Sequence, residues 1–269
     1  MFIGRLKQTA VAAVVGIGAV GGTATMATAT TVDTVLSLVI DVSGSVDSAE
    51  YNTQVQGYVN AFNDSAVQDA IIDKSDGRVG AIAVNVVQFA SSAVEAIGFT
   101  ILDADTDASN FASALSSMAR SGSVGGLTDI ADGITAGVNS ITGWLATAGN
   151  SATRRVIDVS GDGSDNSGAS PFTAGANFCG SGGVINGVAI LTDDDALDTY
   201  YENNVVCGGG FVLAASGFDT FGDAIKTKLR AEISGEDPTD PAYIPLPAAG
   251  WLLIGGIGGL VALRRKKAA

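Results

Sequence analysis

The stretch Val35-Leu36-Ser37-Leu38-Val39-Ile40-Asp41-Val42-Ser43-Gly44-Ser45 decides the fold. From Val35 to Ile40 it carries one hydroxyl and no charge, as expected of a strand buried on both faces. A carboxylate, two serines and a glycine then close the run, so the strand enters a tight loop. From Ser48 the period changes. Tyr51, Val55, Tyr58, Val59 and Phe62 recur at three- and four-residue spacing, which predicts an amphipathic helix. Strand, loop and helix in that order open an α/β unit.

The same alternation continues downstream. A short helix is expected over residues 66–72. Arg78 to Phe89 is a second strand and Ser92 to Leu102 a third, and their short connection makes an antiparallel edge hairpin. Ala108 to Ala119 is helical, with Phe111, Leu115 and Met118 on one stripe. Residues 121–127 form a Gly-rich loop. Asp129 to Thr147 is a longer helix, with Ile130, Ile134, Val138, Ile141 and Leu145 in register. Arg155 to Val159 is a strand ending at Ser160-Gly161-Asp162-Gly163. Pro171 to Phe178 is a helix with Pro in its first turn. Val184 to Leu191 and Phe211 to Ala215 are strands, Ala196 to Asn203 is a short helix, and Phe218 to Ile233 closes the domain. The expectation is one α/β domain over residues 30–233. It is a doubly wound, mostly parallel sheet with helices on both faces and one antiparallel edge strand.

Composition narrows the chemistry. The 269 residues include no histidine, which removes imidazole catalysis and His-containing metal sites. Two cysteines are too few for a Cys₄ zinc site or an iron–sulfur cluster. Lys and Arg number 14 against 28 Asp and Glu, and the formal net charge is −14. Six of the basic residues (Arg5, Lys7, Arg264, Arg265, Lys266 and Lys267) lie at the two ends. Residues 30–243 therefore hold 8 basic and 28 acidic residues, a net −20. Such a body is a poor ligand for nucleic acid, and none is expected as a partner.

The ends read as addresses rather than fold. Residues 1–29 have a basic start, a small-residue apolar run and an Ala27-Thr28-Ala29 cleavage site, the pattern of a secretory signal peptide. Gly16 to Gly21 matches G-x-G-x-x-G by letter but follows no strand, so no nucleotide site is expected there. Residues 234–243 read as a linker. Residues 244–269 contain Pro245-Leu246-Pro247-Ala248, an apolar run to Leu263 and the basic cluster Arg264 to Lys267. This end reads as a transmembrane segment with a cytoplasmic basic tail. It resembles the Pro-containing C-terminal sorting signals that exosortase-type systems of Gram-negative bacteria process at the inner membrane. The expected location is the periplasm or cell surface, with anchoring at least transient. In that oxidising setting Cys179 and Cys207 form a disulfide or remain two small buried thiols.

In a doubly wound sheet, ligands bind outside the carboxyl ends of the strands. Three such ends carry oxygen ligands here. Asp41, Ser43 and Ser45 follow the first strand, Thr128 ends a Gly-rich loop, and Asp162 lies between glycines. Two carboxylates and three hydroxyls make a hard-cation set, suited to Mg²⁺, Mn²⁺ or Ca²⁺ and unsuited to zinc or copper. The competing reading is that the three hydroxyls only cap helices. Other acidic groups weigh less. Asp103, Asp105 and Asp107, like Asp193 to Asp195, read as helix-start charge. Asp158 lies mid-strand beside the site as either a supporting or a structural carboxylate, and Asp165 and Asn166 fall at its rim.

The D-x-S-x-S of Asp41, Ser43 and Ser45, with Thr128 and Asp162 following, resembles the metal-ion-dependent adhesion site of von Willebrand factor A domains. The resemblance covers residues 33–233. The segments Arg154 to Gly163 and Ile185 to Ile190 resemble a bacterial exported subfamily of unknown function. The family implies a divalent cation, Mg²⁺ before Mn²⁺ or Ca²⁺, held by Asp41, Ser43, Ser45, Thr128 and Asp162. A protein or matrix partner would complete its coordination with a carboxylate. The expected function is thus a binding module of the envelope or surface rather than an enzyme. The alternative is a structural extracellular or envelope component in which the ion only stabilises the fold. A metal-dependent hydrolase is a third reading, weakened by the lack of His and of a basic phosphate clamp beyond Arg78, Arg120, Arg154, Arg155, Lys226, Lys228 and Arg230.

Overall fold

The computed structural model describes residues 29–236 and Pro238. The signal peptide apart from Ala29, most of the linker and the C-terminal segment expected above lie outside the described residues. Among the described residues, no helix is long and apolar enough to cross a membrane.

The chain runs β1 (Thr31–Asp41), α1 (Ser48–Phe62), α2 (Ser65–Ile72), β2 (Ile82–Phe89), β3 (Ala93–Leu102), α3 (Asp105–Ser116), α4 (Ile130–Ala146) and β4 (Ser151–Gly161). It continues through α5 (Pro171–Gly180), β5 (Val184–Ile190), α6 (Leu197–Asn204), β6 (Val212–Ala215) and α7 (Phe218–Ser234). The sheet order is β3-β2-β1-β4-β5-β6. β2 and β3 pair antiparallel, and every other pairing is parallel. The mixed α/β architecture and its antiparallel edge are those read from the sequence.

β1 lies at the centre because both of its faces are apolar. Leu36, Leu38 and Ile40 enter one core with Tyr58 and Phe62 of α1, Phe111 of α3 and Phe221 of α7. Val35 and Val39 enter the other with Ile130 and Ile134 of α4, Phe178 of α5 and Tyr201 of α6. Alternation along one strand thus feeds two helical layers. α4 comes close to the sheet because Gly133 faces it. A Cβ there would sit 2.9 Å from both Phe89 Cγ and Val39 Cγ1.

Several boundaries differ from the sequence expectation, and three of them show why. β2 begins at Ile82 rather than Arg78, because the Asp33 carboxylate takes the N–H groups of Val79 and Gly80, at 2.8 Å each. A backbone satisfied by a side chain has no ladder to join. α3 ends at Ser116, before Met118, and Tyr51 donates to the Met118 carbonyl at 3.2 Å. β4 extends from Ser151 to Gly161, longer than the run Arg155 to Val159, because it pairs with β1 from Thr31 onward.

Candidate metal centre

The chain leaves β1 toward β2 on one side and leaves β4 toward β5 on the other. The loops after these two adjacent strands therefore diverge, and a crevice opens between them. Asp41 is the last residue of β1, and Asp162 follows the last residue of β4.

The structure brings the three predicted loops together. Ser43 N–H donates to Asp41 Oδ1 at 2.7 Å, which turns the chain back over the strand end. Ser43 Oγ and Ser45 Oγ are 3.0 Å apart, and Ser45 Oγ donates to Asp162 Oδ1 at 2.7 Å. Gly44 N–H donates to the Gly126 carbonyl at 2.9 Å, which draws in the loop that carries Thr128. Thr128 N–H donates to Asn166 Oδ1 at 2.9 Å, and Asn166 N–H returns a bond to the Thr128 carbonyl. Asp41, Ser43, Thr128 and Asp162 are buried, and Ser45 is exposed at the mouth.

The capping reading fails on these contacts. α1 is capped by Asp47, which forms a reciprocal box with Glu50, and α4 is capped by Asp129, whose carboxylate accepts from Asp132 N–H at 2.8 Å. Ser43, Ser45 and Thr128 cap neither helix and are left facing the crevice loops.

Asp41 is the unusual group. It is 0 % exposed, and its Oδ2 has no hydrogen-bond partner. Burial pushes its carboxyl up to about 7, against the lowering effect of the Ser43 hydrogen bonds. Burial also raises Asp162, with Ser45 opposing and the Glu50 charge adding to the rise. Gly161 makes room for this carboxylate, since a Cβ there would lie 2.7 Å from Asp41 Oδ2 and 2.8 Å from Tyr201 Oη. Tyr201 Oη is itself buried without a partner.

A buried carboxylate with one oxygen lacking a donor, on a loop whose Ser43 and Ser45 hydroxyls reach a second carboxylate, fits a hard divalent cation. The donors are oxygens alone. Among the described residues, no group of three or more His, Cys, Asp or Glu side chains is placed to hold a metal. Any ion here would depend on Ser and Thr hydroxyls beside the two carboxylates.

One supporting contact had no readable signal. Arg120 donates through Nη2 to the carbonyls of Val42 at 2.9 Å and Ser43 at 2.7 Å, strapping the first loop from outside. That guanidinium is therefore committed to backbone and is no phosphate clamp. Lys228, on the buried face of α7, is fully enclosed and is not one either. Asp165 accepts from Ile130 N–H at 2.7 Å, fixing the α4 start, so Asp165 and Asn166 both shape the rim as expected. Asp158 pairs with Lys228 rather than joining the crevice. Cys179 and Cys207 are bonded, tying the end of α5 to the segment that bridges Ile185 of β5.

The strand order, the crevice between β1 and β4 and the two helical layers define a von Willebrand factor A-type fold. Within that class the chain belongs to the family described as "Protein of unknown function (DUF1194)", whose profile matches residues 31–237. No curated protein matches the sequence. Among solved structures, proximal thread matrix protein 1 from the mussel byssus is 20% identical over 76% of this chain and 48% of its own, with a TM-score of 0.54. The pilus adhesin SpaC from Lactobacillus rhamnosus GG, in its open conformation, is 15% identical over 75% of this chain and 30% of its own, with a TM-score of 0.54. The PilB minor pilin from Streptococcus sanguinis is 14% identical over 75% and 62%, with a TM-score of 0.50. The chain spans about half the length of the mussel protein and less of the adhesin. At these identities the likeness is one of fold.

Proposed function

We propose that the crevice holds a divalent cation on Asp41, Ser43, Ser45, Thr128 and Asp162, and that the bound ion engages a carboxylate of a protein or matrix partner. The buried, donor-less Asp41 Oδ2 carries this reading. A carboxylate kept out of water with one oxygen lacking a donor is costly, and a cation would offset that cost. Hydroxyl ligands neutralise little of the ion's charge, which leaves it electrophilic toward an outside anion. The net −20 of residues 30–243 repels acidic partners at long range, so the ion would supply the local positive charge.

Mg²⁺ suits the set best, with Mn²⁺ and Ca²⁺ as compatible alternatives. Adhesive and matrix proteins among the structural neighbours support an extracellular binding or structural role. The apolar, basic ends of the sequence support export, with the C-terminal segment addressing the inner membrane and an exosortase-type machinery.

The test is calorimetric titration of the purified protein with Mg²⁺, Mn²⁺ and Ca²⁺ beside Asp41→Ala. Saturable binding to the wild type, lost in the variant, is the expected result. No heat with any of the three ions at millimolar concentration would defeat the proposal.

A further inference from the structure

A second cluster of charge lies under α7, away from the crevice. Asp158, in the middle of β4, and Lys228 of α7 are both 0 % exposed, and Glu232, one turn further along α7, is 3 % exposed. Lys228 Nζ lies 2.5 Å from Asp158 Oδ1 and 2.5 Å from Glu232 Oε1. Glu232 is held in place, because Asn186 Nδ2 donates to its Oε1 at 2.8 Å and Asn186 Oδ1 accepts from Phe211 N–H at 3.0 Å. Asp158 is not held in this way. Apart from the Lys228 nitrogen at Oδ1, neither of its oxygens has a hydrogen-bond partner. The same core contains Leu36, Val156, Ile225 and Leu229.

Two carboxylates and one ammonium in such a place leave a net buried negative charge unless one further proton is taken up. Burial raises both carboxyls, and it brings Glu232 to about 7 with the Asp158 charge adding to the rise. The cluster thus gathers an amine, a protonatable carboxyl in contact with it and a second carboxyl able to pass protons, all screened from water. Those are the reactants of an amide condensation, held in contact.

We infer that Lys228 and Asp158 form an intramolecular isopeptide bond, with Glu232 as the proton carrier. Lys228 Nζ gives up one proton to the Asp158 carboxylate, which leaves a neutral amine beside a carboxylic acid. The nitrogen lone pair attacks Asp158 Cγ, and the C–N bond forms. Glu232 takes a second proton from the nitrogen and delivers it to a hydroxyl on the tetrahedral carbon. The C–O bond breaks and one water leaves. Amine and carboxylic acid become amide and water, nothing is oxidised or reduced, and no co-reactant is required. Asp158 is the acyl partner because Glu232 is anchored by Asn186 while the Asp158 oxygens are free to be displaced. The product exchanges a buried ion pair for a neutral amide and fastens α7 to β4, the strand beside β1 at the sheet centre.

The chain offers a direct assay. No Lys or Arg lies between Arg155 and Lys226, so trypsin releases Asp158 within peptide 156–226. An isopeptide bond blocks cleavage after Lys228 and attaches peptide 227–230 to it. Mass mapping of the purified, folded protein, denatured and digested, should show this branched peptide, lighter by one water than its two parts. Glu232→Gln should lose the branched peptide and release Lys228 as an ordinary cleavage site. Should that variant fail to fold, Lys228→Arg, which keeps the cation without the nucleophile, serves as the unlinked control. Separate peptides 156–226 and 227–228 from folded wild-type protein would overturn the inference, as would a link mapped to Glu232.

Discussion

Ser45, exposed on the loop after β1, donates a 2.7 Å hydrogen bond to Asp162 on the loop after β4. It is the one direct side-chain bond between the two acidic loops of the candidate centre among the contacts described above. Ser45→Ala removes that bond and one proposed ligand oxygen. Because the side chain is exposed, thermal stability without cation should change by less than about 0.5 kcal/mol. Cation affinity should fall about tenfold, equivalent to about 1.4 kcal/mol. Calorimetric titration of the two proteins checks this, and an unchanged affinity would remove Ser45 from the ligand set.

Asp41 should make the cation-free protein sensitive to pH. Its carboxyl titrates near 3.9 when unfolded and at about 7 when folded, so the folded state holds a proton that the unfolded state has lost. The Asp41 contribution to stability is then greatest below pH 4, falls as pH rises, and reaches its full penalty above about pH 7. The penalty is of the order of a few kcal/mol. Glu232 acts in the same direction, so some slope will persist without Asp41. Melting curves from pH 4 to 8 should show a shallower fall for Asp41→Asn than for the wild type. Saturating Mg²⁺ should reverse the wild-type loss at pH 8 and do little at pH 5. Parallel slopes in the two proteins would contradict the assigned role of Asp41.

Local sequence was enough wherever the chain satisfied itself locally. Pro171 opens α5, the three- and four-residue spacing of Tyr51, Val55, Tyr58 and Phe62 sets α1, and the apolar run of β1 ends at the carboxylate that opens the crevice. Asp41, Ser43 and Ser45 were readable as one turn for the same reason. What stayed hidden depends on contacts distant in sequence. Asp33 captures the backbone of Val79 and Gly80, and no pattern in residues 78–81 reveals that. Arg120 reaches Val42 and Ser43 from a loop between α3 and α4. The buried charge cluster did leave a trace. Phe221, Ile225, Lys228, Leu229 and Glu232 fall on one helical stripe, and two charged residues on an apolar stripe mark an ion pair in the core.

The Cys179–Cys207 bond should carry part of the stability. Its ends are 28 positions apart in sequence, which the chain-entropy estimate values at roughly 3.6 kcal/mol. Paired Cys179→Ser and Cys207→Ser substitutions should lower the melting temperature by several degrees in oxidising buffer. In reducing buffer the wild type should approach the variant. The crevice lies across β1 and β4, away from this bridge, so cation affinity should be nearly equal in the two proteins. A large loss of affinity would mean that the bridge shapes the centre itself.

Gly161 offers the sharpest separation of fold from site. Its missing Cβ leaves the space in which Asp41 Oδ2 and Tyr201 Oη lie, at 2.7 and 2.8 Å from where that atom would be. Gly161→Ala must therefore push the carboxylate, the phenol or the β4 backbone aside. Overpacking of this kind costs about 1–3 kcal/mol, which a chain of this size survives. A displaced Asp41 would move one carboxylate of the proposed ligand set. The variant should fold, melt several degrees lower and bind Mg²⁺ at least tenfold more weakly. Tyr201→Phe on the same background removes the phenol oxygen and opens room on one side. It should restore part of the stability, and it should restore affinity only if Asp41 returns to its place. Circular dichroism melts and calorimetric titrations of the single and double variants separate the two effects, and a Gly161→Ala protein with wild-type affinity would show that the phenol or the β4 backbone, not Asp41, gives way to the added methyl.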